Sequence, residues 1–508
     1  MKENIFSTQD IRQIQTSGID PAKVEDQLET YRNGASYLKL NRPCYVDDGI
    51  VSLAPVEQNK LIDIYDNEAG FYKVIKFVPA SGAASRMFTD WFSAVEKKGF
   101  GTKEIDKKFL KNFKKYPFFS LIADNKSSLE LLEKKDIPNL LKFILGKEGL
   151  NYGNLPKALI PFHRYPDGKL RTALEEHLAE AAGYIPVTGG ARYLHFTISA
   201  EHKEVISKCV EEIIQRYKEV NQINYSIALS FQSSSTNTIA VDEENRPLRN
   251  DKGELVFRPG GHGALLDNLN DLDADLIFVK NIDNVIPQVL LEKIIPFKKM
   301  LGGMALKIQK ETFSLLRSLE SDEQDADIEK IVTYCSQTLN IVFPADFKQQ
   351  AKAKKVRTIF NLLNRPLRIC GVVKNNGEPG GGPFWVDGEN GTQTLQIVES
   401  AHVDKNNAEQ STIWSQSQFF NPVDMVCCIK NYKGQKFKLN DFVDKKACLI
   451  TIKNEKGVKF KALEMPGLWN GSMAHWNTIF VELPLKVFNP VKIVSDLLRR
   501  EHQNNFSR

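Results

Sequence analysis

The fold turns on the stretch Lys73-Val-Ile-Lys-Phe-Val-Pro-Ala-Ser-Gly-Ala-Ala-Ser-Arg-Met-Phe88. Its first six residues form a short apolar run of strand type. Small residues follow at once, from Ala80 to Ser85. Then Met87, Phe88, Trp91, Phe92 and Val95 fall on one face of a helix. The order is strand, tight small-residue turn, helix.

The same alternation recurs downstream. Leu170 to Ala182 reads as a helix, with Thr172 and Glu175 spaced as a capping box. Tyr193 to Ile198 reads as a strand. Val205, Ile206, Cys209, Val210, Ile213 and Ile214 make a helical apolar face. Ile227, Leu229 and Phe231 alternate as a strand, and Leu276 to Val279 is a short buried one. Strands alternating with helices predict an α/β fold with an open, mostly parallel sheet.

Residues 1–70 read as a helical N-terminal segment. Residues 71–440 read as the main domain, interrupted at 89–154 by a helical insertion, with helices again filling about 288–340. After Pro366 the composition shifts toward strands and glycine. Residues 441–508 read as a smaller, mixed β-rich C-terminal part that closes on a helix near Val491 to Arg500. A softer boundary falls near 345.

Composition narrows the function classes. The 508 residues carry a net charge of +5 from 68 basic and 63 acidic side chains, too balanced for a nucleic-acid footprint. The densest basic stretch, Lys348 to Arg357, reads as an exposed helix face before a strand. Seven cysteines include no CxxC pair, which suits reduced thiols in a cytoplasmic protein and excludes zinc and redox motifs. The amino terminus has no signal-type apolar run, and no stretch reaches membrane-spanning length. A soluble, cytoplasmic protein is expected, with no membrane partner.

Six segments carry chemistry. In the Ala80-Ser81-Gly82 loop, backbone N–H groups and a helix start can meet phosphate oxygens, with Arg86 beside them; the same loop also serves as a tight αβ connection. Lys157, in Leu155-Pro-Lys-Ala-Leu-Ile-Pro161, is a restrained cation or a solvated loop lysine. Pro259-Gly-Gly-His-Gly263 lets the backbone approach a planar ligand or a phosphate, with His262 contacting it or capping the turn. The strand from Asp275 ends in Asn281-Ile-Asp-Asn284. Ligands bind at the carboxyl ends of strands in open α/β sheets, and a carboxylate there can hold Mg²⁺ or close an Asx-type turn. Glu399 and Asn421 are of a type that bonds sugar hydroxyls. Lys492 follows a proline at an expected helix start. Read locally, Lys157, Glu399, Asn421 and Lys492 are ordinary solvated or turn residues; their order gives them weight.

In that order the segments resemble the eukaryotic-type UDP-sugar pyrophosphorylases, both the UDP-glucose and the UDP-N-acetylhexosamine branches. The family's Gly-rich loop resembles Ala80 to Met87, and its Pro-Lys-Gly element is similar to Pro156-Lys157-Ala158. Its strand ending in Gln is similar to Ser230-Phe231-Gln232, and its Gly-rich base loop resembles Pro259 to Gly263. Its Asn-x-Asp-Asn strand end is similar to Asn281-Ile-Asp-Asn284, its Glu-x-Ala/Ser segment to Glu399-Ser-Ala, and its Phe-Asn element to Phe420-Asn421. Its Phe-x-Pro-Val-Lys resembles Phe488-Asn-Pro-Val-Lys492, and Asn364 to Val373 resembles the start of its second catalytic half. The resemblance covers roughly residues 73–500, with no counterpart for 89–154. The whole chain also resembles a bacterial family of about this length.

The resemblance implies a nucleotide-diphospho-sugar transferase fold, GT-A and Rossmann-like. It implies a nucleotidyltransferase that joins a nucleoside triphosphate, UTP by the family pattern, to a sugar 1-phosphate and releases pyrophosphate. Asp283 would hold Mg²⁺; Arg86, Lys157 and Lys492 would act on the phosphates. Ala80, Ser81, Gly82, Gln232, Gly260, Gly261, His262 and Gly263 would receive the nucleotide, and Asn281, Glu399 and Asn421 the sugar. A glycosyltransferase of the same fold and a non-catalytic nucleotide-sugar sensor are the alternatives. The chain departs from the family in the loop, where Gly82 stands among Ser81, Ala83 and Ala84. It departs again where Phe88, Thr89 and Asp90 replace the following lysine, and at Ala158.

Overall fold

A computed structural model of the chain describes residues 5–321, 327–378, 380–455 and 457–503. It is a mixed α/β structure whose parallel strand pairs fall in two runs, one in each of its two units. The chain divides into two compact units. One comprises Met1–Lys73, Gln232–Phe278 and Met300–Pro484; the other comprises Val74–Phe231, Val279–Lys299 and Leu485–Arg508. The units interleave along the sequence.

The second unit is built on the stretch that opened the sequence reading. Strand Val74–Pro79 pairs in parallel with Arg192–Ile198, which pairs in parallel with Tyr225–Phe231. The register sets Val78 beside Phe196 and Thr197 beside Ser230. The helix expected from Met87 starts at Thr89, after a 3-10 turn at Ala84–Arg86. The 89–154 insertion is helical, with Lys103–Phe113, Phe119–Ala123, Lys126–Glu133 and Ile137–Leu145 following. Leu170 to Ala182 is only partly helical. Leu170–Thr172 pairs as a strand with Pro161–Arg164, and the helix runs from Ala173 to Ala181. Thr172 is its N-cap and accepts from the Glu175 N–H at 3.3 Å, so the cap itself stops the helix from extending backward. That helix is buried on every side.

The first unit has its own parallel run: Gly49–Val51, Asn477–Glu482 and Leu367–Lys374 pair in that order, and Asp424–Cys428 adds antiparallel. Strand Leu276–Lys280 carries the division between the units at Phe278. Leu40–Pro43, Gly382–Asp387 and Gln393–Val398 form a small antiparallel sheet. Residues 1–70 are therefore not purely helical. After helices Thr8–Thr16 and Pro21–Asn33 the chain supplies strands to two sheets. The helices pack Ile14, Val24, Leu28 and Tyr31 against Ile239, Val241 and Leu463. Each such side chain contributes about 1.5–3 kcal/mol when fully buried.

The closing segment also differs from expectation. Val494–Leu498 and Arg500–His502 are 3-10 turns, not an α-helix. The Asp496 carboxylate accepts from the N–H groups of Lys492 and Ile493, and this local bonding competes with a longer helix. All seven cysteines are free. No described helix is long and apolar enough to cross a membrane.

Candidate active site

The second unit gathers the small-residue loop, Lys157, Asp283 and the segment before Lys492 around one set of hydrogen bonds. The loop leaves its strand at Pro79, and the Ala80 N–H is spent on the Thr197 carbonyl at 2.8 Å. The next three N–H groups, of Ser81, Gly82 and Ala83, donate to no described residue. Gly82 and Ala83 are exposed. The loop is closed from behind by Leu155–Lys157: Ala84 N–H donates to the Leu155 carbonyl at 3.1 Å, and Lys157 N–H to the Gly82 carbonyl at 3.2 Å. These three N–H groups are thus left available to a ligand.

Lys157 turns its side chain the other way. Its ammonium lies 3.3 Å from Asp283 Oδ2 and donates to the Val491 carbonyl at 3.0 Å. Both side chains are largely buried, 13% and 18% exposed. Asp283 sits just beyond the Leu276–Lys280 strand, in a turn closed by Asn284 N–H onto the Asn281 carbonyl at 3.2 Å. The turn is pinned at each residue that follows. Ile282 O meets His177 Nε2 at 3.2 Å, Asp283 O accepts from Val491 N–H at 3.0 Å, and Asn284 Oδ1 accepts from Asn489 N–H at 3.0 Å. Val494 N–H bonds Met87 O at 3.0 Å, tying the C-terminal segment to the loop. Arg86 and Lys492 are exposed and pair with no described carboxylate.

Beneath this turn lies a charge cluster that the sequence reading missed. Glu180 Oε2 accepts from Lys76 at 2.8 Å, and Oε1 from Lys280 at 2.7 Å, with Lys298 3.9 Å away. All four are buried. Burial alone would raise the Glu180 carboxyl, but Lys280, Lys76 and Lys298 hold it well below its usual range. Burial pushes the Lys76 ammonium down to about 8 against the attraction of Glu180. The signal was present in the sequence: lysines at 76 and 280 interrupt otherwise apolar buried strands, a placement that requires a partner.

The other predicted residues belong to the first unit. Gly260 and Gly263 are explained by close packing within it. A Cβ on Gly260 would lie 2.6 Å from the Thr236 carbonyl oxygen, and one on Gly263 would lie 2.1 Å from that of Pro466. Gly261 has φ +74°, the left-handed region. His262 stacks on Trp469 at 4.4 Å between ring centroids, and its Nδ1 accepts from Leu468 N–H at 3.1 Å. Burial pushes His262 down to about 4, so it is neutral near pH 7. Asn421 is buried with both ends of its amide committed, to the Gly371 carbonyl at 2.7 Å and the Val423 N–H at 3.0 Å. Gln232 and Glu399 are partly exposed, Glu399 following directly on the Gln393–Val398 strand. Asn281 stays in the second unit, partly exposed beside Asp283.

A family model described as a domain of unknown function, DUF4301, matches residues 7–503. The chain belongs to this family. No curated protein matches the chain. Among solved structures, a UDP-glucose pyrophosphorylase from Leishmania major in complex with UDP-glucose is similar at 14% identity and TM-score 0.42, over 97% of this chain and 79% of that one. A UDP-glucose phosphorylase from Trypanosoma brucei is similar at 13% identity and TM-score 0.45, over 97% and 80%. A uridine diphosphate N-acetylglucosamine pyrophosphorylase from Trypanosoma brucei, in complex with an inhibitor, is similar at 12% identity and TM-score 0.46, over 94% and 74%.

Proposed function

We propose that the chain is a nucleotidyltransferase that couples a nucleoside triphosphate, with UTP first among the candidates, to a sugar 1-phosphate and releases pyrophosphate. The observation that carries this reading is the double role of Lys157. Its backbone N–H fixes the small-residue loop at Gly82, and its ammonium meets the strand-end carboxylate of Asp283. A free-donor loop, a fixed cation and a carboxylate at a strand end are the parts that a triphosphate needs. The ordered motif resemblance supports the same reading.

In this reaction a phosphate oxygen of the sugar 1-phosphate attacks the α-phosphorus. The bond from that phosphorus to the oxygen bridging to the β-phosphate breaks, and pyrophosphate leaves. No covalent enzyme intermediate is required, so positioning and charge stabilisation supply the acceleration. The N–H groups of Ser81, Gly82 and Ala83 would hold phosphate oxygens. Arg86, Lys157 and Lys492 would balance the charge that develops as pyrophosphate departs. Asn281, beside Asp283 in the same unit, would bond a sugar hydroxyl.

Asp283 fits Mg²⁺ of one kind. Among the described residues no group of three or more His, Cys, Asp or Glu could hold a metal ion, so a closed protein cage is not formed. Mg²⁺ keeps several waters and is commonly held by one or two carboxylates together with substrate phosphates. Asp283 Oδ1 has no partner among the described residues, and Asn281 lies two positions away. Asp283 would therefore hold a largely hydrated ion, which would neutralise charge on the phosphates.

The test incubates the purified chain with Mg²⁺, each nucleoside triphosphate and a panel of sugar 1-phosphates, and measures pyrophosphate release. Release with at least one pair is expected. Nucleotide binding without release from any pair would overturn the reading in favour of a nucleotide-sugar-binding protein.

A further inference from the structure

The first unit contains a cavity of about 710 Å³ that shares no residue with the proposed active site. Arg365, Lys446, His475, Thr394, Gln396 and Thr478 are among its walls. Its volume lies within the range of about 300–1,000 Å³ common for small-molecule sites. Thr394 and Gln396 stand on the Gln393–Val398 strand, before the end at which Glu399 follows.

Arg365 is the unusual member. It is partly buried, and the one hydrogen bond of its side chain among the described residues is from Nε to the Asn361 carbonyl at 3.2 Å. Its two terminal nitrogens bond to no described residue, and no described carboxylate pairs with it. Burial pushes its guanidinium below the ordinary value. A second guanidinium stands behind the wall. Arg368 is fully buried and donates from Nε to Thr478 Oγ1 at 2.8 Å and from Nη1 to the Trp469 carbonyl at 2.7 Å. Its Nη2 has no partner, and it too lacks a carboxylate among the described residues. Buried charges are normally paired, because leaving water without a counter-charge is costly. The Lys446 side chain is exposed and unpaired among the described residues.

Carboxylates also line the cavity, at Asp387, Glu389 and Asp444. Asp387 is neutralised by Lys39 at 3.2 Å and accepts from Asn41 at 2.9 Å. Asp444 accepts from the Lys446 N–H at 2.9 Å. None of them answers Arg365. They supply acceptors for hydroxyl or amino groups, whereas Arg365 presents a two-donor edge that matches a phosphate or carboxylate.

We propose that this cavity is a second ligand site, which takes a small hydroxyl-bearing molecule with a phosphate or carboxylate group anchored on Arg365. The site is independent of the nucleotidyltransferase reading. It is tested by calorimetric titration of inorganic phosphate, and separately of citrate, into the full chain, with thermal unfolding recorded for every variant. Phosphate or citrate binding is expected to weaken at least tenfold in Arg365→Gln and severalfold in Lys446→Glu, and to be unchanged in Arg12→Gln, an exposed arginine outside both sites. The anion that responds identifies the anchored group. If Arg365→Gln does not fold, the exposed Lys446→Glu decides in its place. Binding that Arg86→Gln abolishes and the cavity variants leave intact overturns the proposal. So does the absence of binding by either anion at millimolar concentration.

Discussion

The Lys157 ammonium lies 3.3 Å from the Asp283 carboxylate, while the Lys157 backbone N–H is bonded to Gly82. One residue therefore fixes the loop and faces the strand-end acid. Asp283→Asn keeps the side-chain shape and removes the charge. It is expected to lower pyrophosphate release at least about 100-fold, the scale of losing one charge-stabilising group. Unfolding free energy should fall by about 1–3 kcal/mol, because the largely buried Lys157 ammonium loses its carboxylate but keeps the Val491 carbonyl. Near-full turnover in this variant would remove Asp283 from the chemistry.

The cluster beneath the turn predicts a stability effect. Glu180 is the carboxylate that Lys76 and Lys280 share, with Lys298 3.9 Å away. Glu180→Gln leaves the buried Lys76 ammonium without its carboxylate, and is expected to cost about 3–5 kcal/mol of unfolding free energy. Combining it with Lys76→Met should recover part of that loss, because the ammonium that lost its carboxylate is removed. Urea unfolding of both variants checks this. A loss below about 1 kcal/mol in the single variant would show that water reaches the cluster.

The particular residues show what was legible in the sequence. Strands at 74–79, 192–198, 225–231 and 276–280 could be read because apolar runs of four to seven residues between turn signals have one dominant solution. The segment from Val491 to Arg500 has helical spacing, but Asp496 spends its carboxylate on two local N–H groups, which periodicity does not register. Lys157 and Asp283 were singled out from separate motifs; their 3.3 Å approach depends on non-local folding of segments 126 residues apart. Asn421 shows the reverse. Its residue type suits a sugar ligand, yet both ends of its amide are taken by backbone that no motif reveals.

His262 predicts a pH dependence. Burial lowers it from the model-compound value of 6.5 to about 4 in the folded chain. Between those values the unfolded chain binds the proton and the folded chain does not, so stability falls as pH drops from 6.5 toward 4. The linkage is on the order of 3 kcal/mol for this group, from the size of the shift. His177 and His502, both held well below the ordinary value by burial, act in the same direction. His262→Phe keeps an aromatic ring against Trp469 and removes the titration. Unfolding free energies at pH 7 and pH 4.5 should differ less in this variant than in the native chain. An unchanged pH slope would mean that the His262 ring titrates as freely in the fold as in the unfolded chain.

Two glycines should respond in opposite ways to the same added methyl group. At Gly263 a Cβ would lie 2.1 Å from the Pro466 carbonyl oxygen, and backbone must move to admit it. Gly263→Ala is expected to cost about 2–3 kcal/mol, at the upper end for overpacking. At Gly82 nothing lies within 4 Å of the added Cβ, and φ is outside the left-handed region. Gly82→Ala should therefore leave stability unchanged, or raise it by up to about 1 kcal/mol through the unfolded chain. The space over Gly82 is where a phosphate would approach the free N–H groups of Ser81, Gly82 and Ala83. A methyl group placed there should raise KM for the nucleoside triphosphate about tenfold, the effect of weakening one or two bonds to a charged oxygen. Thermal unfolding and steady-state kinetics separate the two effects. A Gly82→Ala variant with native stability and native KM would place the phosphates elsewhere than on this loop.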